Sequence, residues 1–316
     1  MKRLTCDQVE TFRRDGILIV EHLVTDDDLA PIIRAMEKLI DDRARTYHRE
    51  GRIHDLHQDE PFDRRLASLY AQDHAIIDRL DIVDTRLRPL FEFHFNERLL
   101  DAVEDLIGPE ITINPIEHIR PKIPAALTDD PNGYENVPWH QDAAVTWEEA
   151  DESEIVTCWL PLVDATPENG CMRVIPGINR VGYLEHEASD MGTTIRPDVF
   201  PAHVEPMTAA CGKGASVFMS RFTPHQGLMN RTDCVRWSLD LRYQPTGEPT
   251  GRPFFPAFVA RSEADPDSVE RDHDAWSRRW DEALPKARGI HWHRTLPPEQ
   301  RVPPDSPFAT GHDGIH

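Results

Sequence analysis

Past Gly108-Pro109 the chain breaks into short β-type runs, at 111–119, 137–146, 154–163, 171–175, 202–208, 215–219 and 234–243, separated by Pro, Gly, Asn and Asp. Runs this short and this evenly punctuated build a sandwich or a jelly-roll barrel, not alternating βαβ units. Proline makes the same point: 27 of 316 residues is well above the roughly 5% of average usage. Neither a P-loop nor a Rossmann glycine fingerprint is present, so no nucleotide motif directs the reading.

The first hundred residues read mainly as helix. Thr5 caps a helix with Val9 and Phe12 on one face, and Asp15-Gly16 ends it. Ile17–Val20 is a β-prone run. Thr25 then caps a second helix, in which Leu29, Ile32, Ile33, Met36, Leu39 and Ile40 recur at the helical period. Residues 41–60 are polar and read as an exposed loop containing His48, His54 and His57. Helical periodicity returns over Leu66–Leu80 and Leu99–Ile107, and once more near 268–283, ahead of a polar tail expected to be poorly ordered. The chain is thus one domain over 1–316, with a mainly helical part (1–110), a β core (111–245) and a C-terminal extension (246–316).

A net charge of −21 excludes partners that demand a basic surface, nucleic acid and anionic membrane first among them. No window approaches the length of apolar sequence a membrane span needs. Five cysteines, an odd number with no CxxC pair, and an opening MKRLTCDQVE without an apolar run behind it fit a reduced, cytoplasmic setting. The oligomeric state stays open between monomer and homodimer.

Three residues carry the chemistry. His140 and Asp142 lie two apart in Trp139-His140-Gln141-Asp142, and on a strand that spacing projects an imidazole and a carboxylate from one face. His225, 83 residues after Asp142, completes two histidines and a carboxylate. That set holds non-heme Fe(II) and leaves positions open for a co-substrate and O2, whereas calcium calls for more oxygen ligands. Arg236 follows His225 by 11 residues, the distance of a turn and a returning strand. An arginine there grips a carboxylate bidentately, which suits the distal carboxylate of 2-oxoglutarate.

With these residues in place the sequence resembles the phytanoyl-CoA dioxygenase-like (PhyH) branch of the Fe(II)/2-oxoglutarate oxygenases over about residues 5–245. The resemblance is carried by Phe12–Val20, His140-Gln141-Asp142, Trp159-Leu160-Pro161-Leu162, Glu168-Asn169-Gly170-Cys171-Met172, Ile175-Pro176-Gly177, His225 and Arg236. It implies a double-stranded β-helix of the jelly-roll, cupin-like kind, with iron, 2-oxoglutarate and O2, and succinate and CO2 as co-products. His140, Asp142 and His225 match the iron ligands, Arg236 the residue holding 2-oxoglutarate, and Trp159 a tryptophan walling its pocket. Two positions depart from the family. Gly227 stands where many members have a serine touching the co-substrate, and Ile178-Asn179 replaces a Ser-His pair. A basic residue before the core sometimes joins the pocket, and Arg79 is the nearest candidate.

Other residues have plainer readings. His291 and His293 read as surface residues of the tail, and His54 and His57 likewise. His118 reads as a histidine satisfied in the core or propping the ligands, and Trp139 and Trp147 as core aromatics. The acidic run 148–154 reads as a solvated loop that also has the position of a lid. The expected function is a dioxygenase hydroxylating a small organic metabolite. The rivals are desaturation, cyclisation or epoxidation at the same iron, a metalloenzyme without 2-oxoglutarate, and a β-barrel binding protein without turnover. Twelve acids against three bases (Arg120, Lys122 and Arg196) across 120–136, 148–154 and 182–200 argue against a CoA thioester as substrate.

Overall fold

A computed structural model describes residues 3–128, 137–189, 192–200 and 203–308. Helix α1 (Cys6–Asp15) starts at Thr5, whose hydroxyl accepts from the Gln8 backbone while the Gln8 side chain accepts from the Thr5 N–H. It stops at Gly16, whose φ of 70° is a conformation glycine adopts without a Cβ penalty. Strand β1 (Ile17–Val20) follows directly. Helix α2 (Asp26–Arg49) buries Leu29, Ile32, Met36, Ile40 and Ala44, and full burial of each larger side chain contributes about 1.5–3 kcal/mol.

α2 runs nine residues into the stretch expected to be a loop. Residues 41–49 are polar yet helical, because Lys38–Asp42 and Asp41–Arg45 pair at i,i+4 and Ala44 continues the buried face. The next expected helix is cut after Tyr70. α3 (Phe62–Tyr70) ends there, a single 3-10 turn spans His74–Ile77, and α4 (Ile82–Thr85), α5 (Arg88–Phe93) and α6 (Glu97–Ile107) complete the helical layer.

The β core is two facing antiparallel sheets, the jelly-roll arrangement expected. Its strands are β2 (Ile111–Ile113), β3 (His118–Lys122), β4 (Val156–Pro161), β5 (Met172–Val174), β6 (His186–Ser189), β7 (Gly192–Ile195), β8 (Met207–Ala209), β9 (Ser216–Ser220), β10 (His225–Gly227), β11 (Arg236–Pro245) and β12 (Phe258–Arg261). The large sheet runs β1-β9-β4-β11-β2-β12, with β3 also on β11; the small sheet runs β10-β5-β8, and β6–β7 form a hairpin. β11 is the central strand. Trp237, Leu239, Leu241 and Tyr243 join the main hydrophobic core with the helices, so alternation sends Arg236, Ser238, Asp240 and Arg242 to the opposite face.

Two expected runs are corrected. Residues 137–146 are not a strand: His140 makes one isolated bridge, and Asp142–Val145 is a 3-10 turn. Of the described residues 203–208 only Met207 and Thr208 lie in a strand. In the extension, α7 (His273–Lys286) packs on α5. The following segment is ordered against the core, with Ile290 buried in a cluster with Trp147, Phe254 and Ala287. The expectation of a disordered tail otherwise falls beyond residue 308, outside the described residues.

Candidate metal centre

The two halves of the site meet at one bridge. His140 and His225 exchange both backbone hydrogen bonds, at 3.0 and 2.9 Å, which sets their rings 4.1 Å apart. Each ring is oriented from behind: Nδ1 of His140 donates to the Pro138 carbonyl and Nδ1 of His225 to the Thr223 carbonyl, both at 2.9 Å. A proton on each Nδ1 leaves each Nε2 bare, the form that ligates a metal.

Gln141, between the two candidate ligands His140 and Asp142, is fully buried and acts as a pin. Its amide nitrogen donates to the carbonyls of Gly182 and Phe222, its oxygen accepts from the Leu184 N–H, and its own N–H donates to Nε2 of His186. The chain then turns into the 3-10 segment, and that turn, not strand alternation, brings Asp142 round to the imidazoles. Oδ1 of Asp142 lies 4.0 Å from Nε2 of His140 and 3.8 Å from Nε2 of His225. Among the described residues this is the one group of three that could hold a metal, its ligand atoms all within 4.8 Å of one another.

The electrostatics favour an ionised Asp142 carboxylate and a neutral His140 imidazole. Burial alone would raise the Asp142 pKa. The Arg242 guanidinium and the two imidazoles outweigh it and hold the carboxyl well below its ordinary range. Nη2 of Arg242 donates to Asp142 Oδ1 at 2.7 Å, and the Thr157 hydroxyl donates to Oδ2. Burial, with His225 beside it, pushes His140 down to about 3. Arg242, Thr157, Gln141 and His186 were not singled out in the sequence. Arg242 had a signal, since it stands six residues after Arg236 on one strand and so on the same face; His186 had none.

Further along that face, Arg236 lies with its guanidinium carbon 5.1 Å from the centre of the Trp159 ring, and it donates to Ser238 Oγ at 2.5 Å. Trp159 is buried on β4, opposite Asp240. Lys122 on β3 is opposite Arg236. Arg79 is not in the pocket: its side chain is 79% exposed and pairs with Asp84.

The remaining candidates have structural places. Nδ1 of His118 lies 2.6 Å from Asp81, the cap of α4. Trp139 packs edge-on against Phe200, and Trp147 against Phe254. His291 and His293 are half-buried, not surface residues, and burial pushes His293 down to about 4. In the acidic run Glu149, Glu152 and Glu154 are exposed as expected, whereas Glu148 and Asp151 are held. Arg301 grips Glu148 at 2.6 and 2.9 Å, and Arg294 grips Asp151 at 2.5 and 3.1 Å, both from the C-terminal extension.

Two histidines and a carboxylate on one side of an ion are a fit for Fe(II) with open positions opposite. Comparison with known proteins agrees in type. The sequence model of the phytanoyl-CoA dioxygenase (PhyH) family matches residues 12–238. The chain belongs to that family. Its curated relatives include an ectoine dioxygenase of Bordetella parapertussis, 25% identical over 180 residues, which are 56% of this chain and 50% of that protein. The chain therefore spans about half the length of the curated relatives it matches. Among solved structures, the non-heme monooxygenase ThoJ covers 88% of this chain and 95% of its own at 18% identity and a TM-score of 0.59. The epimerase SnoN, solved with Fe3+, alpha ketoglutarate and nogalamycin RO, gives 78% and 86% at 18% identity and a TM-score of 0.53. The carbocyclase SnoK of nogalamycin biosynthesis gives 86% and 97% at 17% identity and a TM-score of 0.52. This PhyH member thus shares its fold with proteins of that kind. No helix among the described residues is long and apolar enough to cross a membrane.

Proposed function

We propose that this PhyH protein is an Fe(II)- and 2-oxoglutarate-dependent dioxygenase that hydroxylates a small organic metabolite. The observation that carries the reading is the convergence of His140, Asp142 and His225 through bare Nε2 atoms and one ionised oxygen. In the reading, these three residues hold Fe(II). The chemistry the bound iron supplies is oxidative decarboxylation of 2-oxoglutarate by O2, giving succinate and CO2 and oxidising the substrate. Arg236 anchors the distal carboxylate of 2-oxoglutarate, Trp159 walls its pocket, and Thr157 and Arg242 fix the orientation of Asp142.

The substrate is not a CoA thioester on this reading, because the bases nearest the core are already committed. Arg196 is held by Glu185 and Asp198, Lys122 is buried, and Arg120 faces Asp240 at 3.8 Å. Among the described residues there, several phosphate charges would find no cluster of free cations. The test is substrate-dependent succinate release, measured with Fe(II) and 2-oxoglutarate over a panel of acyl-CoAs, their free acids, amines and neutral terpenoid or aromatic compounds. Coupled hydroxylation is expected with one of the small compounds. Coupled turnover of an acyl-CoA with its free acid inert would overturn the substrate class, and succinate formation that His225→Ala leaves intact would overturn the whole assignment.

A further inference from the structure

The turn between β9 and β10 holds both halves of the metal centre at once. It is closed by the Thr223 N–H, which donates to the Ser220 carbonyl at 2.8 Å, and the three carbonyls that follow Ser220 are left to bond elsewhere. That of Arg221 accepts from the Ala143 N–H at 3.0 Å, that of Phe222 from the Gln141 side chain at 2.7 Å, and that of Thr223 from Nδ1 of His225 at 2.9 Å. Three consecutive carbonyls thus engage the residues on either side of Asp142 and the ring of His225. Where Asp142 and His225 sit relative to one another depends on where this turn sits.

The turn is itself fixed from outside the β core. The Thr223 hydroxyl, fully buried, donates at 2.6 Å to the carbonyl of Gly16, where α1 passes into β1. The same carbonyl accepts from the Ser220 N–H at 2.8 Å. So close an approach needs a glycine, because a Cβ at position 16 would lie 2.5 Å from Thr223 Oγ1 and 2.5 Å from Cγ of Asn179. We propose that Thr223 is a positioning residue for the metal centre: through its hydroxyl, the C-terminal cap of α1 sets the turn whose carbonyls aim His225 and hold the Asp142 segment. The inference rests on the metal site proposed above. Removing the hydroxyl leaves Gly16 its bond from Ser220, so no buried acceptor is stranded and the cost in stability is small. The turn loses the contact that orients it, and partners that orient a metal ligand matter at about 10- to 100-fold in metal affinity.

The test reads metal geometry separately from stability. The full chain is titrated with Co(II) alone, whose visible absorption reports the number and arrangement of its ligands, and unfolding is followed in urea. Thr223→Val, which keeps the shape and loses the hydroxyl, is expected to weaken Co(II) binding about 10- to 100-fold and to change the spectrum of the bound ion. Thr223→Ala carries the same expectation and takes its place if Thr223→Val does not fold. Thr223→Ser restores the hydroxyl and is expected to keep the affinity and spectrum of the unaltered protein. Thr112→Val is the stability control: it removes another buried hydroxyl, paired with Thr246 at 2.9 Å, and is expected to lower the urea midpoint without moving the spectrum. Unchanged Co(II) affinity and spectrum in the folded Thr223 variant would overturn the inference, as would an equal loss of affinity in Thr112→Val. Failure of the unaltered protein to bind Co(II), or binding that His225→Ala leaves intact, would instead remove the metal site itself.

Discussion

Arg242 and Asp142 form a buried ion pair at 2.7 Å, both side chains under 5% exposed, in which the arginine holds the same carboxylate oxygen that faces the two imidazoles. The guanidinium is itself held, donating to the Ile116 carbonyl at 2.9 Å. It therefore fixes where that oxygen sits before any ion arrives. Without iron the pair keeps a buried carboxylate ionised; with iron, Arg242 and Thr157 limit how the carboxylate can rotate.

Replacing Arg242 with Met is expected to strand the Asp142 charge. Breaking such a pair costs about 3–5 kcal/mol, read as a drop in the urea midpoint of the metal-free protein. Fe(II) affinity should fall about 10- to 100-fold, as when the partner that orients a ligand is lost. Arg242→Met together with Asp142→Asn should regain much of the stability and none of the metal binding. A double variant no more stable than the single one would contradict the role given to the pair.

Arg294 ties the C-terminal extension to the turn after Asp142. Its backbone N–H donates to the Ala144 carbonyl at 3.0 Å, Nε to Thr146 at 2.6 Å, and the guanidinium to Asp151. Arg294→Ala keeps the backbone bond but removes the side-chain contacts and leaves Asp151 beside Arg221 alone, at 3.9 Å. The expected cost is about 2–4 kcal/mol in thermal or chemical unfolding. Asp151→Asn in that background should add little further loss, and a full additive loss would show that the two do not act as a unit.

The same chain of contacts explains what the sequence could and could not reveal. The caps at Thr5 and Thr25, the helical stripe of α2 and the alternation of β11 were legible because each is local: a hydroxyl beside a backbone N–H, or a period of 3.6 or 2. The His-x-Asp pair was legible too, but for a reason the structure changes. Gln141 is held from residues 41 to 81 positions away, and that distant hold, not a local strand, turns the segment. Pairs such as Arg301 with Glu148, 153 residues apart, have no periodic signature. The held members of the acidic run therefore looked solvated when read alone.

His186 and His293 set an acid limit on the fold. Burial lowers each from 6.5 to about 4, so both are neutral in the native state at a pH where the unfolded chain protonates them. A folded pKa below the unfolded one means stability is fully present above pH 6.5 and is lost as the pH falls toward 4. The metal-free protein should show a urea midpoint that rises with pH across this window. His293→Gln should reduce the slope by up to about 1.4 kcal/mol per pH unit, one proton's worth. A midpoint independent of pH there would refute the buried, neutral state of both rings.

The central claim is that His140, Asp142 and His225 together hold iron to which 2-oxoglutarate binds. The most direct measurement is the visible charge-transfer absorption that develops when Fe(II) and 2-oxoglutarate are added to the protein without oxygen, titrated to its end point in the unaltered chain and in His140→Ala, Asp142→Ala and His225→Ala. A band saturating at one Fe(II) per chain is expected in the unaltered protein, absent in both histidine variants, and weak or absent in Asp142→Ala. A band of full intensity in His225→Ala would contradict the claim.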